Sequence, residues 1–408
     1  MEDKLLAGLA GEHGTPLYVY DGELIRERCK AFKGAFSGLP AQIRCLYAIK
    51  ANTNLAILRI IRDEGFGADI VSSGELDAAI SAGFDPDMMM YTSNSKSLAD
   101  MEAAIEAGVH MTVGNMTELE YFKKAGGERI AFRVNPDVDA KTHPKISTSL
   151  AGSKFGLHFS EGIAFEAARD AVQMGLKVAG IHCHIGSNVK DMSGFLQAAE
   201  KMVLFAEKLK EELDIMLDFI DLGGGLGVPH EGEKVVPVEE FGAAYGPVIE
   251  DAVARLGYEP QFWFEPGRYL VAEAGVLLAK VNSVKKTPTK SFVNADAGFN
   301  DLIRPAMYDA YHHIRVLGKS GEDAVYDIAG NLCESGDILG KGRMLPKVSA
   351  GDIIAVENAG AYGFSMASNY NSMPFPAEVL VRGERADVIR DRQSIQELYL
   401  RQRMPDDL

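Results

Sequence analysis

The stretch LYAIKAN, residues 46–52, is apolar and has strand character until it reaches Lys50. A helix-like segment, residues 55–62, follows it. Burial of an ammonium group is costly unless the group is paired or loses its proton. Lys50 therefore has two interpretations. It is either a solvated lysine at a strand end, or an amine held for covalent chemistry with a carbonyl, as a Schiff base.

The alternation of an apolar run and a helical pattern continues well beyond this stretch. Strands are predicted at residues 43–49, 67–71, 88–92, 110–113, 130–135, 178–184, 219–222 and 261–265. Helices with 3.6-residue spacing are predicted between them at 54–64, 74–82, 97–107, 117–125, 160–174, 192–213 and 238–256. Eight strands in this order favour a (β/α)8 TIM barrel over a doubly wound sheet, which usually has fewer strands and reverses direction once.

The pattern changes after Arg268. Residues 269–284 are apolar without an amphipathic helical stripe, and strands separated by turns are predicted at 291–294, 324–329, 352–356 and 377–381. A strand at 16–20 precedes the barrel and is expected to join them. The α/β barrel is thus predicted at 31–280, and an all-β domain is predicted from both chain ends, 1–30 with 281–408.

Charge and composition exclude several classes of partner. The 408 residues carry a formal net charge of −16, which argues against nucleic acid. No apolar run approaches the roughly 20 residues that span a bilayer, so no membrane partner is expected. The start MEDK lacks the layout of a signal peptide. Four widely spaced cysteines predict a reduced, cytoplasmic protein without disulfides or a metal site.

Polar residues gather at the predicted C-terminal ends of the barrel strands, where catalytic groups of such barrels lie. In chain order they are Lys50, Asp69, Ser72, Ser73, Ser93, Asn94, Arg133, Asn135, His182, His184, Ser187, Asn188, Asp221, the glycines 223–225, Glu265, Gly267 and Arg268. A barrel with a purely structural role would not need this concentration.

The loops after the seventh and eighth strands contain glycines and an arginine. Gly223-Gly224-Gly225 can be a flexible turn, and Arg268 alone can be a surface salt bridge. Glycines also let backbone N–H groups approach a phosphate, and these two loops are the usual phosphate site of a barrel. The position of the glycines therefore favours a phosphate ligand.

Two more side chains fit a flat, nitrogen-containing cofactor. His184 can be a satisfied core histidine or can stack on such a cofactor. Glu265 follows the apolar run Phe262-Trp263-Phe264, and a buried carboxylate needs a cationic partner, which a protonated pyridine nitrogen would provide. With Lys50 and the phosphate loops, these groups describe a pyridoxal phosphate site. Such a site favours decarboxylation or racemisation.

The motifs resemble those of the fold-type III pyridoxal phosphate-dependent decarboxylases, which have an alanine racemase-like fold. They are YAIKAN (47–52), HIGS (184–187), GGGLG (223–227), EPGR (265–268), DAGFNDLIRPAMY (296–308), CESGD (333–337) and AGAYG (359–363), and they cover nearly the whole chain. The resemblance implies a barrel that binds pyridoxal 5'-phosphate and a β-domain that completes a homodimer with shared active sites.

The resemblance also implies roles for single residues. Lys50 would hold the cofactor, with His184 on the ring face and Glu265 on the ring nitrogen. The other cofactor-binding residues would be Asp69, Ser187, Gly224, Gly225, Gly267, Arg268 and Tyr362. The catalytic set would be Lys50, His184 and Cys333. Arg268, Arg304, Tyr308 and Tyr362 would bind substrate, the first three on its distal carboxylate, and Cys333 and Glu334 would come from the partner subunit.

The implied reaction is decarboxylation of meso-2,6-diaminopimelate to L-lysine and CO2, with Cys333 returning a proton and Glu334 contacting an amino group. A planar guanidinium such as that of Arg304 suits the carboxylate that stays. Taken singly, Arg304 can be a domain-interface salt bridge and Cys333 a buried small hydrophobe.

Other functions remain open at this stage. The alternatives are a decarboxylase of ornithine, arginine, a D-amino acid or carboxynorspermidine, an amino-acid racemase, and a cofactor-binding carrier without catalysis. The chain departs from the family pattern at Asn188, where Gln is usual, and near Met373 and Phe375, where Arg is usual.

Overall fold

The computed structural model describes residues 1–138, 153–188, 191–229, 235–321 and 323–408. The chain forms two compact units, one of residues 26–270 and one of residues 1–25 with 271–408. The roles predicted for the two domains, cofactor binding and dimer formation, stay predictions.

The first unit contains the predicted barrel. The chain starts with α1 (Asp3–His13), β1 (Leu17–Asp21) and α2 (Gly22–Gly34), and then continues through β2 (Ile43–Ala48), α3 (Leu55–Asp63), β3 (Gly67–Ile70), α4 (Ser73–Ala82), β4 (Met89–Tyr91), α5 (Leu98–Glu106), β5 (His110–Val113), α6 (Met116–Lys124), β6 (Arg129–Asn135), β7 (Leu157–His158), α7 (Ile163–Gln173), β8 (Lys177–His182), α8 (Met192–Leu213), β9 (Phe219–Asp221), α9 (Val238–Leu256), β10 (Gln261–Phe264) and α10 (Arg268–Val271).

Eight parallel strands close into a ring. Their order is β5-β4-β3-β2-β10-β9-β8-β6, and β5 also pairs with β6. Every neighbouring pair is parallel. The (β/α)8 prediction is therefore confirmed, and the C-terminal ends of all these strands lie at one rim. The short strand β7 adds to β6 outside the ring order.

Large and small side chains fill the barrel interior as one buried cluster. Its members are Leu46, Met90, Ala131, Ala179, Phe219 and Trp263. The rings of Phe219 and Trp263 stack with their centroids 3.8 Å apart. Burial of such apolar surface is worth about 25 cal/mol per Å². The interior is a packed core, so a ligand has room only at the rim.

Side-chain caps set where the barrel helices begin. The side chain of Asn54 accepts a hydrogen bond from the N–H of Ala56, and Ser97 forms a reciprocal capping box with Asp100. The same type of cap starts three other helices, with Ser72, Asn115 and Asp191 as acceptors. Each cap contributes about 1 kcal/mol. The caps hold the turns that follow the strands, and these turns carry the candidate site.

The second unit contains one mixed sheet. Its later elements are β11 (Gly275–Lys286), β12 (Ser291–Ala295), α11 (Arg304–Tyr308), β13 (Ile314–Val316), β14 (Asp323–Ala329), β15 (Ile338–Pro346), β16 (Ile353–Val356), β17 (Ala377–Arg382) and β18 (Arg385–Arg390). The main order is β15-β14-β12-β11-β1-β17-β18. The N-terminal strand β1 lies inside this sheet, antiparallel to β11 and parallel to β17, as predicted.

The structure also contains elements that the sequence did not predict. Helix α1 packs Leu6, Leu9 and Ala10 against apolar residues of the sheet such as Leu17 and Val379. Strand β11 occupies much of the apolar region 269–284, and its last residues are exposed. Both elements are stabilised by contacts with residues far away in the chain, so their own sequences show little periodicity.

Two further observations concern the predictions about cysteines and membranes. All four cysteines are free thiols. Among the described residues, no helix is long and apolar enough to cross a membrane.

Candidate functional site

Lys50 lies in a turn, not at a strand end as predicted. Strand β2 ends at Ala48, and Lys50 is the middle residue of a 3-10 turn, Ile49–Ala51. Its Nζ lies 2.7 Å from Oδ2 of Asp69, whose side chain is fully buried. The Lys50 side chain remains 38% exposed. A partly exposed amine beside a buried acidic partner suits a reactive role better than that of a solvated surface lysine.

A chain of polar contacts extends from this ion pair along the rim. Asp69 also accepts a hydrogen bond from the Thr92 hydroxyl, and Arg133 donates to the Thr92 carbonyl at 3.1 Å. These residues come from β3, the turn after β4, and β6. Asp69 is thus oriented from two sides. Thr92 had no predicted role, since a threonine after a short strand gives no signal of its own.

His184 follows β8 and is held by the glycine loop. Its Nδ1 accepts a hydrogen bond from the N–H of Gly224 at 3.2 Å, which leaves the ring proton on Nε2. Removal from solvent and the positive charge of Lys50 lower the pKa of His184 to about 3. The ring is therefore neutral at physiological pH, and part of its surface remains accessible.

The predicted phosphate loops approach one another closely. Arg268 donates from Nη2 to the Ser187 hydroxyl at 3.1 Å. A Cβ on Gly224 would lie 1.9 Å from the Glu265 carbonyl oxygen. Gly225 has a φ of +122°, and a Cβ there would lie 2.4 Å from the carbonyl oxygen of Gly186. Only glycine fits these positions. Gly267 precedes Arg268 in the loop after β10.

Glu265 belongs to a buried group that the sequence did not predict. We call this group, which consists of His182, Asp221 and Glu265, the buried triad. One ring nitrogen of His182 and one carboxylate oxygen of each acid lie within 4.8 Å of one another. Nε2 of His182 lies 3.3 Å from Oε2 of Glu265. His182 and Asp221 stood among the predicted strand-end residues without a role. Their contact with Glu265 depends on the ring order of β8, β9 and β10.

The barrel residues fit pyridoxal phosphate. In the described part of the chain, Oε1 of Glu265 is buried without a hydrogen-bond partner, which suits a cationic ring nitrogen. The glycine cradle with Arg268 and Ser187 suits a phosphate dianion. The amine of Lys50 supplies the group that would bond to the aldehyde.

The second unit holds the predicted substrate residues other than Arg268. Arg304 starts α11 and is buried, with 7% of its surface exposed. Its guanidinium carbon lies 5.8 Å from the ring centroid of Tyr308 and 5.9 Å from that of Tyr362. The three residues thus form one cationic, aromatic cluster. Arg304 and Tyr308 lie on α11, and Tyr362 lies in the loop after β16.

Cys333 and Glu334 lie on an exposed loop of the same unit. The Cys333 thiol is free and exposed, so the interpretation as a buried small hydrophobe is wrong. The Tyr370 hydroxyl contacts Oε2 of Glu334 at 3.4 Å. Asp337 accepts from the N–H groups of Leu332 and Phe299 at 2.8 and 2.7 Å, which fixes the loop. Asp337 and Tyr370 had no predicted role.

The chain is similar to a family of known proteins. Residues 23–272 match the family model described as pyridoxal-dependent decarboxylase, pyridoxal binding domain. Diaminopimelate decarboxylase of Archaeoglobus fulgidus is 47% identical over 97% of this chain and 94% of its own length.

Two solved structures have the same fold. A diaminopimelate decarboxylase from Methanocaldococcus jannaschii, in complex with L-lysine, has a TM-score of 0.94 at 39% identity, and the match covers 99% of this chain and 95% of that one. The enzyme from Helicobacter pylori, also with L-lysine, has a TM-score of 0.89 at 38% identity, with 97% and 98% covered.

The barrel and the match over residues 23–272 define a pyridoxal-dependent decarboxylase. At this identity and coverage, the chain belongs to the diaminopimelate decarboxylase family of carboxy-lyases. The resemblance inferred from the motifs is therefore confirmed.

Proposed function

We propose that the chain decarboxylates meso-2,6-diaminopimelate to L-lysine and CO2, with pyridoxal 5'-phosphate as cofactor. The observation that carries this substrate is the buried Arg304 between the rings of Tyr308 and Tyr362. A simple diamine precursor has no second carboxylate for such a group. The relatives solved with L-lysine contain the expected product.

Pyridoxal phosphate, when bound, supplies an aldehyde that bonds to amines and a ring that accepts electrons. Lys50 would hold the cofactor through its amine, which Asp69 orients through their 2.7 Å contact. The neutral His184 would lie against one ring face, and Glu265 would pair with the ring nitrogen. Ser187, Gly225, Gly267, Arg268 and Tyr362 would hold the phosphate, while the N–H of Gly224 orients the ring of His184.

Arg304, Tyr308 and Arg268 bind the carboxylate that stays on the product. A guanidinium offers a planar fork for this purpose, whereas the departing carboxylate leaves more readily from a drier surrounding. We expect no guanidinium at the departing carboxylate, because an ion pair there would oppose its release as uncharged CO2.

The exposed loop completes the site of a partner subunit. Cys333 returns a proton to the α-carbon, and Glu334 binds an amino group of the substrate. The exposure of the Cys333 thiol supports this arrangement, because a proton donor for another subunit must lie at the surface. The active protein is therefore a homodimer. The free thiols also support a reducing, cytoplasmic location.

The test is a substrate panel with the purified protein and added cofactor. We expect CO2 and L-lysine from meso-diaminopimelate, and much slower CO2 release from ornithine, arginine, D-lysine and the LL isomer. Comparable or faster turnover of ornithine or arginine would overturn the assignment of Arg304 and the proposed substrate.

A further inference from the structure

The buried triad joins the C-terminal ends of three adjacent barrel strands. In the parallel pairing, His182 of β8 is opposite Asp221 of β9, and Asp221 is opposite Trp263 of β10. Glu265 follows two residues after Trp263. His182 and Asp221 are 1% and 0% exposed, and Glu265 is 4% exposed. The family resemblance assigned a role only to Glu265.

Two polar contacts orient the triad, and Nδ1 of His182 is a further buried atom without a hydrogen-bond partner among the described residues. Oδ1 of Asp221 accepts a hydrogen bond from the N–H of Gly223 at 2.8 Å. Oε2 of Glu265 faces Nε2 of His182 at 3.3 Å. Within the described residues, Oε1 of Glu265 and Oδ2 of Asp221 have no direct hydrogen-bond partner. One carboxylate oxygen of Glu265 is thus fixed by His182, and a protonated Asp221 is placed to donate a hydrogen bond to the same carboxylate.

The charges of the two carboxyl groups differ. Two buried carboxylates at this separation cannot both ionise without a large cost. Burial, and then the charge of Glu265, raise the pKa of Asp221 well above its ordinary value. Burial acts in the same direction on Glu265, but the charge and hydrogen bond of His182 outweigh it and lower the pKa of Glu265. Asp221 therefore keeps its proton, and Glu265 keeps the negative charge.

Other titratable groups also act on this pair. They are Lys50, Asp69, Arg133, Cys183 and His184. A change confined to His182 or Asp221 leaves all of them in place, so its effect can be assigned to the triad.

We propose that His182 and Asp221 are positioning residues, which hold the Glu265 carboxylate in place for the ring nitrogen of the cofactor. This inference rests on the proposed function, which places Glu265 at that nitrogen. His182 restrains Oε2 of Glu265 through its Nε2. Asp221 is a neutral neighbour, so it does not compete with Glu265 for the positive charge of the ring nitrogen.

The first test compares cofactors with and without the ring nitrogen. We expect His182→Phe and Asp221→Val to weaken binding of pyridoxal phosphate about 10-fold, a cost near 1.4 kcal/mol. Binding of 1-deazapyridoxal phosphate, which lacks the ring nitrogen, should change less than about 2-fold. Equal weakening of both cofactors would overturn the proposal, because it would show a general distortion of the site.

The second test uses Asp221→Asn, which keeps the shape of a protonated aspartic acid and an N–H donor. This variant should retain the cofactor affinity and the absorbance band of the wild type, whereas Asp221→Val should not. If Asn fails as badly as Val, Asp221 acts as a carboxylate and the proposal is wrong.

The third test is a double-mutant cycle on activity. His182→Phe should lower kcat at least 10-fold with little change in KM, but should add less than about 2-fold in a Glu265→Gln background. A fully multiplicative loss would overturn the proposal. Thr112→Val is the matched control, because Thr112 is a buried polar residue of β5 that is 0% exposed. It should cost stability without a change in kcat.

The two proposals fail in different ways. A wild-type protein that binds pyridoxal phosphate but does not decarboxylate meso-diaminopimelate would sink the proposed function, while the comparison of the two cofactors would still test the triad. A divalent metal that co-purifies at one equivalent and whose removal restores cofactor binding would instead assign the triad to that metal and overturn the inference.

Discussion

The guanidinium of Arg268 donates to the hydroxyl of Ser187 at 3.1 Å, although the two residues are 81 positions apart in the chain. The contact joins the loop after β8 to the loop after β10, on either side of the glycine loop after β9. A positive charge, a hydroxyl and glycine N–H groups are thus gathered at one part of the rim. We expect this region to contribute most of the affinity for the phosphate.

Loss of the Arg268–Ser187 pair should lower the affinity for the cofactor more than it lowers the rate of the chemical step. Arg268→Lys keeps the charge but loses the planar fork, and we expect about a 10-fold higher Kd for pyridoxal phosphate, measured by fluorescence titration. Saturating cofactor should restore much of kcat to Ser187→Ala. Arg255→Lys is the control, since Arg255 forms exposed ion pairs with Glu207 and Asp251. Unchanged affinity in both test variants would contradict the phosphate assignment.

Lys50→Ala should abolish the long-wavelength absorbance of the bound cofactor together with decarboxylation. Borohydride should fix the cofactor to the wild type and not to the variant, as mass spectrometry of the intact protein would detect. Lys30→Ala, at an exposed position of α2, serves as the control. Normal turnover in Lys50→Ala would exclude Lys50 as the cofactor lysine.

Gly224→Ala should damage both folding and cofactor binding. The added Cβ would lie 1.9 Å from the carbonyl oxygen of Glu265, so the backbone must move. We expect a lower Tm and a loss of cofactor affinity of at least 10-fold. Gly8→Ala in α1 is the matched control, because a Cβ there meets nothing within 4 Å. If both variants bind the cofactor equally well, the close approach of the loops is not required.

Mixing inactive chains should restore activity if Cys333 acts across a dimer interface. Cys333→Ala should keep the cofactor absorbance and lose most of its rate. After Lys50→Ala and Cys333→Ala chains are mixed and exchanged, half of the dimers are mixed and each has one working site. We therefore expect about one quarter of wild-type activity in the mixture. Absence of recovery, with chain exchange shown by mass, would place Cys333 in its own subunit's site.

Asp301 should make the protein less stable as pH rises. Burial raises the pKa of Asp301 from 3.8 to about 7, against the lowering effect of the hydrogen bond from the N–H of Gly298. Between these values the folded state binds more protons than the unfolded state, so the free energy of unfolding falls with rising pH. Asp301→Asn should lose this dependence.

Urea unfolding at several pH values between 4 and 8 measures this contribution as the difference between wild type and variant. The exposed Asp406→Asn should follow the wild type. A constant difference between wild type and Asp301→Asn across this range would show that Asp301 does not titrate with a raised pKa in the folded protein.

Local pattern was enough to predict the barrel elements. Strand β5 (His110–Val113) and helices α8 (Met192–Leu213) and α9 (Val238–Leu256) have the predicted bounds. These segments carry a strong period of their own, with turn residues at their ends. Residue type was also enough to propose Lys50, Glu265 and the glycine loop as cofactor residues, and these roles stay predictions.

Other parts of the structure have no such local signal. Strand β15 does not alternate regularly between buried and exposed residues, and its pairing with β14 makes it a strand. Lys50 was predicted at a strand end, but β2 ends earlier because the turn Ile49–Ala51 follows it. Strand ends depend on where the neighbouring strands stop, and the residues themselves do not encode that point.

The sequence by itself determined the order of strands and helices and the chemical groups at the rim, because hydrophobic period and residue type are local properties. Only the tertiary structure decided which of these groups meet. Asp69 contacts Lys50, and Ser187 contacts Arg268. His182 contacts Glu265 across 83 positions of the chain. Such contacts follow from ring closure and strand register, which arise when the whole barrel packs and which no single segment specifies.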